Sequence, residues 1–292
     1  MNSALTTVLL PLVLGVVMFG LGLSLTADDL LAIRENKRAI VIALLCQMLV
    51  LPALCFAMVL LLGLPPVLGV GMMLLAASPG GPSASLFSHL FRGDVALNVT
   101  VTAINSLLAV VTLPLVVNLS LAYFLSGDDA IGLQLDKLTP VLAMVVLPVF
   151  LGMAIRRRAP AFAARMDRPV RIAAVAVLMI IAGTAINSER NNLAGYLGAV
   201  GTAAAVFCLL NLTVGYYLPR LARIGHRQAI ALSMEIGVHN GALAITIAIS
   251  LLNNTEMAIP AAIYTIAQPV LAGAVGTLIV RSHARLRRSP RP

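Results

Sequence analysis

The 292-residue chain is 60% hydrophobic and 11% charged, with a mean hydropathy of +1.00, where an ordinary globular domain carries about 25% charged residues. That balance excludes a predominantly soluble protein and points to an all-α polytopic membrane protein, since a bilayer core of about 30 Å takes roughly 20 apolar residues per helix. The net charge of +9 raises nucleic acid as a partner, and the placement of the charges excludes it.

Interruptions rich in charge, Pro, Gly or Asn divide the chain into nine expected spans. The first, 5–26, has no Lys or Arg before Arg34 and no small-residue cleavage site in MFGLGLSLTADD, so it is expected to be a retained span and not a signal peptide. The second, 38–62, carries Gln47 within LLCQMLVLP. In the third, 66–91, Pro79, Gly80, Gly81 and Pro82 disfavour helix over four consecutive residues. Ser83 then offers an N-cap to a second half-helix, LFSHLF. The fourth, 95–125, holds Asn98 and Thr102 one turn apart on one face, while the fifth and sixth, 136–155 and 170–187, are plain. The seventh is 193–218. The eighth, 228–252, is interrupted by EIGVHNGA, and the ninth, 257–280, precedes a basic tail, 281–292. Cys46, Cys55 and Cys208 all fall inside spans without metal-ligand spacing and read as small core residues.

Eighteen of the 20 Lys and Arg lie in alternate loops and the tail. The opposite loops hold only Lys137 and Arg190, beside Asp128, Asp129, Asp136, Glu189 and Glu256. The positive-inside rule therefore puts the N-terminus outside and the C-terminus in the cytoplasm, with the protein in the cytoplasmic membrane of the cell. The two interrupted spans are five apart and so run in opposite directions. That parity is the mark of an inverted repeat, with a first repeat over 1–125 and a second over 136–280. Interrupted helices at corresponding positions of two halves point to a secondary transporter's binding site. Half-helix N-termini suit an anionic substrate there, and freed carbonyls suit a small cation.

Glu235 is the only acidic residue well inside a span. It is read as a cation ligand, against a structural carboxylate that is protonated or salt-bridged. Gln47 either supplies an oxygen to a cation or bonds a neighbouring helix. Ser85, Asn98 and Thr102 form a second oxygen-rich set, alternatively polar glue between helices. About six oxygens with a single carboxylate fit a weakly held monovalent cation better than Mg²⁺ or Ca²⁺. His239 and Asn240, with Ser83 and Gln268, are candidates for a substrate's polar groups, although a lone histidine is more often structural. His89 reads as interfacial. No Ser-His-Asp order, HExxH, P-loop or GxGxxG stands in a suitable context, so neither an intramembrane hydrolase nor an ATP-driven pump is supported.

Taken together, MFGLGLSL, CQMLVLPA, SPGGPSAS followed by RGDVALNVTVT, and SMEIGVHNGALA resemble the bile acid:sodium symporter family over essentially the whole chain. The resemblance implies a nine-helix fold with a panel of spans 5–26, 136–155 and 170–187. The other six spans form a core in which the two broken helices cross. It implies sodium as the coupling ion and no organic cofactor. One sodium site falls on Ala84, Ser85, Asn98, Thr102 and Glu235. The other falls on Gln47, Glu235, Ile236, Val238 and His239, with Ile236 and Val238 offering carbonyls. Substrate contacts fall on Pro82, Ser83 and Asn240.

This chain departs from the family's pattern at Ala84, often serine, at Ser85, often asparagine, and at His239, usually glutamine. Pro82 stands where related carriers have a threonine, so a different substrate is expected. The expected function is sodium-coupled symport of an organic anion, bile-acid-like or a small carboxylate, by a monomer in the lipid bilayer with no enzymatic activity. The alternatives are a proton-coupled or uncoupled carrier of the same fold, with His239 titrating, and a membrane receptor or channel.

Overall fold

A computed structural model describes residues 33–81, 83–125, 135–166 and 197–288, with 15–16, 18–20, 22–23, 169–170, 172–173 and 176. Most of the expected spans at 5–26 and 170–187, the start of that at 193–218, Pro82 and the last residues of the tail lie outside these. The described chain is helical. α1 (Ile33–Leu45) passes through a π-helical turn, Cys46–Val50, into α2 (Leu51–Leu61). α3 (Pro66–Ala77), α4 (Ser83–Leu90), α5 (Val95–Phe124) and α6 (Leu135–Arg158) follow. A second π turn, Leu197–Gly201, leads into α7 (Thr202–Leu221), then come α8 (His226–Gly237) and α9 (Gly241–Thr246). α9 continues as a π turn, Ile247–Leu251, and a 3₁₀ turn, Glu256–Ala258, opens α10 (Ile259–Arg288).

Prolines account for two distortions. Pro52 has no N–H for the carbonyl of Met48, and the turn before it widens so that Leu51 N donates to Cys46 O. Pro114 crowds the carbonyl of residue 110, and α5 is bent by 55° between its halves, Val95–Ala109 and Val111–Phe124. Among the described residues, three helices are long and apolar enough to cross a membrane: Asn36–Leu61, Gly198–Leu221 and Glu256–His283. The bent α5 makes a fourth.

The packing is inside out relative to a soluble protein. Val111, Leu115, Leu119 and Tyr123 form an exposed stripe at i, i+4 spacing along α5, and Leu61 is 87% exposed. Gln47, Asn98, Thr102, Asn211, Glu235, His239 and Gln268 are buried. Apolar side chains outside and amides inside suit a lipid surround, where an unsatisfied polar group costs several kcal/mol.

α7 packs against α8 and α10, and α8 also against α4 and α5. The α7–α8 approach is close: Ser233 Oγ donates to Leu212 O over 2.7 Å, and a Cβ on Gly237 would overlap Leu212. Gln228 Nε2 on α8 reaches Asn36 Oδ1 on α1 at 2.5 Å. α6 meets the described residues of the first segment through bare backbone, where a Cβ on Gly152 would fall 2.5 Å from Phe19 O.

Candidate functional site

Between α3 and α4, and again between α8 and α9, the chain leaves the helix, and the two breaks meet. Ser78 precedes a proline and is extended, with ψ at 140°. The second break is shorter than the polar run EIGVHNGA. Glu235, Ile236 and Gly237 remain helical, and only Val238, His239 and Asn240 lie outside α8 and α9. Asn240 starts α9, its Oδ1 accepting from Leu243 N at 3.1 Å. Gly81 N donates to Val238 O over 2.7 Å, and Asn240 N donates to Pro79 O over 2.9 Å. These opposed bonds form an antiparallel bridge between Gly80 and His239.

Glu235 lies against this bridge. A Cβ on Gly80 would overlap its carboxylate, and one on Gly81 would sit 2.9 Å from His239 O. Neither glycine has a positive φ, so what they provide is room. Glu235 is fully buried, and its Oε2 accepts from Thr102 Oγ1 over 2.5 Å. The same hydroxyl lies 3.0 Å from Asn98 O. It has one hydrogen for these two contacts, of which the one to Glu235 is the shorter. Glu235 Oε1 has no partner among the described residues.

Three amides have their oxygens turned away from the protein's donors. Gln47 Nε2 donates to Ser78 O at 3.1 Å, Asn98 Nδ2 to Ala231 O at 2.9 Å, and Gln268 Nε2 to His239 O at 3.4 Å. Each partner is a carbonyl, so the nitrogen must face it, which settles the orientation of each amide. Gln47 Oε1, Asn98 Oδ1 and Gln268 Oε1 are then buried without a partner among the described residues. With Glu235 Oε1, the region carries an excess of unpartnered acceptors, the donor set a small cation requires.

His239 is held at both ring nitrogens. Nδ1 donates to Ser78 O at 3.0 Å, so Nε2 is the acceptor and takes the Asn211 Nδ2 hydrogen at 3.1 Å. Its ring stacks on Phe207 and meets Tyr264 edge-on. Ser78 O thus receives both Gln47 and His239, filling its two lone pairs. Beyond them, Tyr264 Oη donates to Gly237 O at 2.9 Å, capping a carbonyl released at the end of α8.

Of the residues expected to hold cations or substrate, Gln47, Asn98, Thr102, Glu235, His239, Asn240 and Gln268 join this network directly. Val238 joins through its carbonyl, already taken once by Gly81 N. Ile236 is buried in the last turn of α8, and Ala84 is buried in α4 with its N–H on Gly81 O. Ser83 and Ser85 are partly buried on α4. Pro82 lies outside the described residues. Two members escape sequence reasoning. Asn211, an amide in the apolar run FCLLNLTV, is visible by the logic that flags Gln47. Ser78 contributes its backbone carbonyl and leaves no mark in its side chain.

An inside-out helical bundle with a buried carboxylate where two helices break is a multi-pass membrane protein with a polar centre. The model of the Sodium Bile acid symporter family matches residues 11–196, more than half of the chain. The chain belongs to that family, one of transporters and not of enzymes. The match takes in Gln47, Asn98 and Thr102 and ends before Glu235. Among similar proteins is the "Uncharacterized sodium-dependent transporter YocS" of Bacillus subtilis, 24% identical over 253 residues, 87% of this chain and 77% of that one. The "Probable sodium/metabolite cotransporter BASS1, chloroplastic" of Arabidopsis thaliana is 28% identical over 272 residues, 92% of this chain and 66% of its own length. The "Ileal sodium/bile acid cotransporter" of Oryctolagus cuniculus is 24% identical over 251 residues, 84% and 71% respectively. The chain thus spans just under two thirds of the Arabidopsis relative.

Proposed function

We propose that the chain is a secondary active transporter that carries an organic anion, bile-acid-like or a small carboxylate, in symport with sodium by alternating access. The observation that carries this reading is the buried carboxylate of Glu235. Its Oε1 is unpartnered beside the bridge, in one hydrogen-bonded region with the unpartnered oxygens of Gln47 and Asn98. A monovalent cation answers that excess of acceptors and offsets the single buried charge.

Sodium is held by Glu235, Asn98, Thr102 and Gln47, with the carbonyls of Ile236 and Val238 and the α4 residues Ala84 and Ser85 completing the set. The anion is held by Ser83, Asn240 and Gln268, with Pro82 shaping the pocket. His239 serves both sites through its backbone and orients Ser78 and Asn211 through its ring. The panel of spans 5–26, 136–155 and 170–187 moves against the core, a division supported by the bare backbone contact of Gly152 with the first segment. The distribution of basic loops supports a cytoplasmic C-terminus, with the protein in the cell membrane.

A proton-coupled cycle running through His239 is the second reading. A second ring proton at Nε2 would need the Asn211 amide to turn over and present its unpartnered Oδ1 in place of Nδ2.

Proteoliposomes test the proposal. A steroid carboxylate and a set of small carboxylates are offered with an inward sodium gradient, with equal sodium on both sides, and with potassium replacing sodium. Accumulation above equilibrium with the sodium gradient alone is the expected result. Uptake of every carried anion that is indifferent to sodium overturns it.

A further inference from the structure

Away from the breaks, a cavity of about 920 Å³ opens at the end of the bundle where α4 ends, α5 and α8 begin, and α10 closes. Three of the chain's four histidines line it, His89, His226 and His283, together with Arg92, Arg227 and Asp94. None of its lining residues belongs to the network around Glu235.

The charge there is unbalanced. Neither the Arg92 nor the Arg227 guanidinium has a hydrogen-bond or ion-pair partner among the described residues. The one carboxylate, Asp94, is engaged as the cap of α5, its Oδ1 accepting from Leu97 N at 3.0 Å. Among the described lining residues, two arginines stand against one aspartate.

The backbone adds to it. Val95 and Ala96 open α5, and His226 and Arg227 open α8, and all four line the same cavity. First-turn N–H groups have no intrahelical acceptor and carry the positive end of the helix dipole. The two helix starts are tied together by Asp94 N, which donates to Arg227 O at 3.0 Å. At the other wall the rings of His226 and His283 stack at 3.7 Å, and Tyr216 Oη lies 2.9 Å from His226 Nδ1, so α7, α8 and α10 meet there. Arg92 and Arg227, both exposed, and two helix starts line one cavity, a donor array suited to a tetrahedral, multiply charged oxyanion.

We propose that this cavity is a second anion site, separate from the transport site, and that its ligand is a phosphate group, whether free or on a lipid headgroup. The site lies at the end whose basic loops are proposed to face the cytoplasm, and its existence does not depend on the transport reading.

The test uses the purified full-length chain, the site variant R92Q/R227Q, the charge-retaining R92K/R227K, and R156Q/R157Q, which removes the same charge at the end of α6. One arm titrates inorganic phosphate against chloride at constant ionic strength and reads thermal unfolding. The other holds each protein in nanodiscs of phosphatidylcholine with or without phosphatidic acid and counts retained lipid by native mass spectrometry. R92Q/R227Q is expected to weaken binding by about tenfold or more, the scale of losing charge-assisted bonds. R92K/R227K retains most of the affinity, and R156Q/R157Q changes little. Loss in the phosphate arm alone assigns a free phosphate, and loss in the lipid arm alone assigns a headgroup. Equal loss in R156Q/R157Q, or no difference between R92Q/R227Q and the unmodified protein in either arm, overturns the site.

Discussion

Gly80 and Glu235 occupy each other's space: the carboxylate of Glu235 lies where a side chain on Gly80 would begin. The absence of a Cβ in the first break is what admits the charge carried by α8, so one break is shaped to the other's carboxylate. Gly80→Ala is therefore expected to displace Glu235 and to cost about 1–3 kcal/mol through overpacking. Thermal unfolding reads the stability loss, and sodium-driven uptake in the same variant is expected to fall by about tenfold or more, the rate scale of a misplaced group. A Gly80→Ala protein with unchanged sodium response would show that the carboxylate need not sit at the bridge.

Glu235→Gln removes the charge and retains the shape. Without sodium, the variant is expected to match or exceed the unmodified protein in stability, since an incompletely partnered buried charge is costly to keep. Sodium is expected to stabilise the unmodified protein, by about 2.7 kcal/mol at a hundredfold excess over its dissociation constant, and to leave the variant unmoved. Thermal melts in sodium and in potassium for both proteins check this. A sodium-dependent shift of equal size in the variant removes Glu235 from the cation site.

Thr102 Oγ1 donates a hydrogen bond to the Glu235 carboxylate. Thr102→Val is expected to weaken sodium affinity by about tenfold, from a bond to a charged group worth about 1.5–3 kcal/mol. Thr102→Ser retains the hydroxyl and is expected to keep affinity within about threefold, the effect of about 0.6 kcal/mol. Sodium titration of melting temperature separates the two.

The Asn211–His239 contact is testable as a pair. Asn211→Leu strips Nε2 of its donor, and His239→Phe leaves the Asn211 amide facing an aromatic ring. Each is expected to cost about 1–3 kcal/mol as a buried group loses its partner. The double variant is expected to cost less than the sum by about 1 kcal/mol, a coupling that unfolding measurements resolve. Strict additivity would mean that the contact does not contribute.

The helical, membrane-type composition and both helix breaks were legible in the residues, because Pro79 and the Gly80-Gly81 pair act on the backbone locally. The meeting of the breaks was a matter of parity and resemblance, and its form was hidden. A bridge of Gly81 N to Val238 O uses backbone atoms that no residue type advertises. EIGVHNGA suggested a break beginning at Glu235, yet α8 runs on to Gly237, since Glu and Ile tolerate helix and only the Val238–Asn240 stretch is drawn into the bridge. His239 looked like a ring nitrogen facing the site. Its partners, Ser78 O and Asn211 Nδ2, lie 161 and 28 residues away, a pairing that only the fold can bring about.

The opposed bonds that join Pro79–Gly81 to Val238–Asn240 also restrict how the protein can move. Slipping either stretch along the other by one residue breaks both bonds and turns each side chain to the opposite face. The two breaks therefore translate as one stiff part. A displacement of one stretch is thereby passed to the other through both bonds.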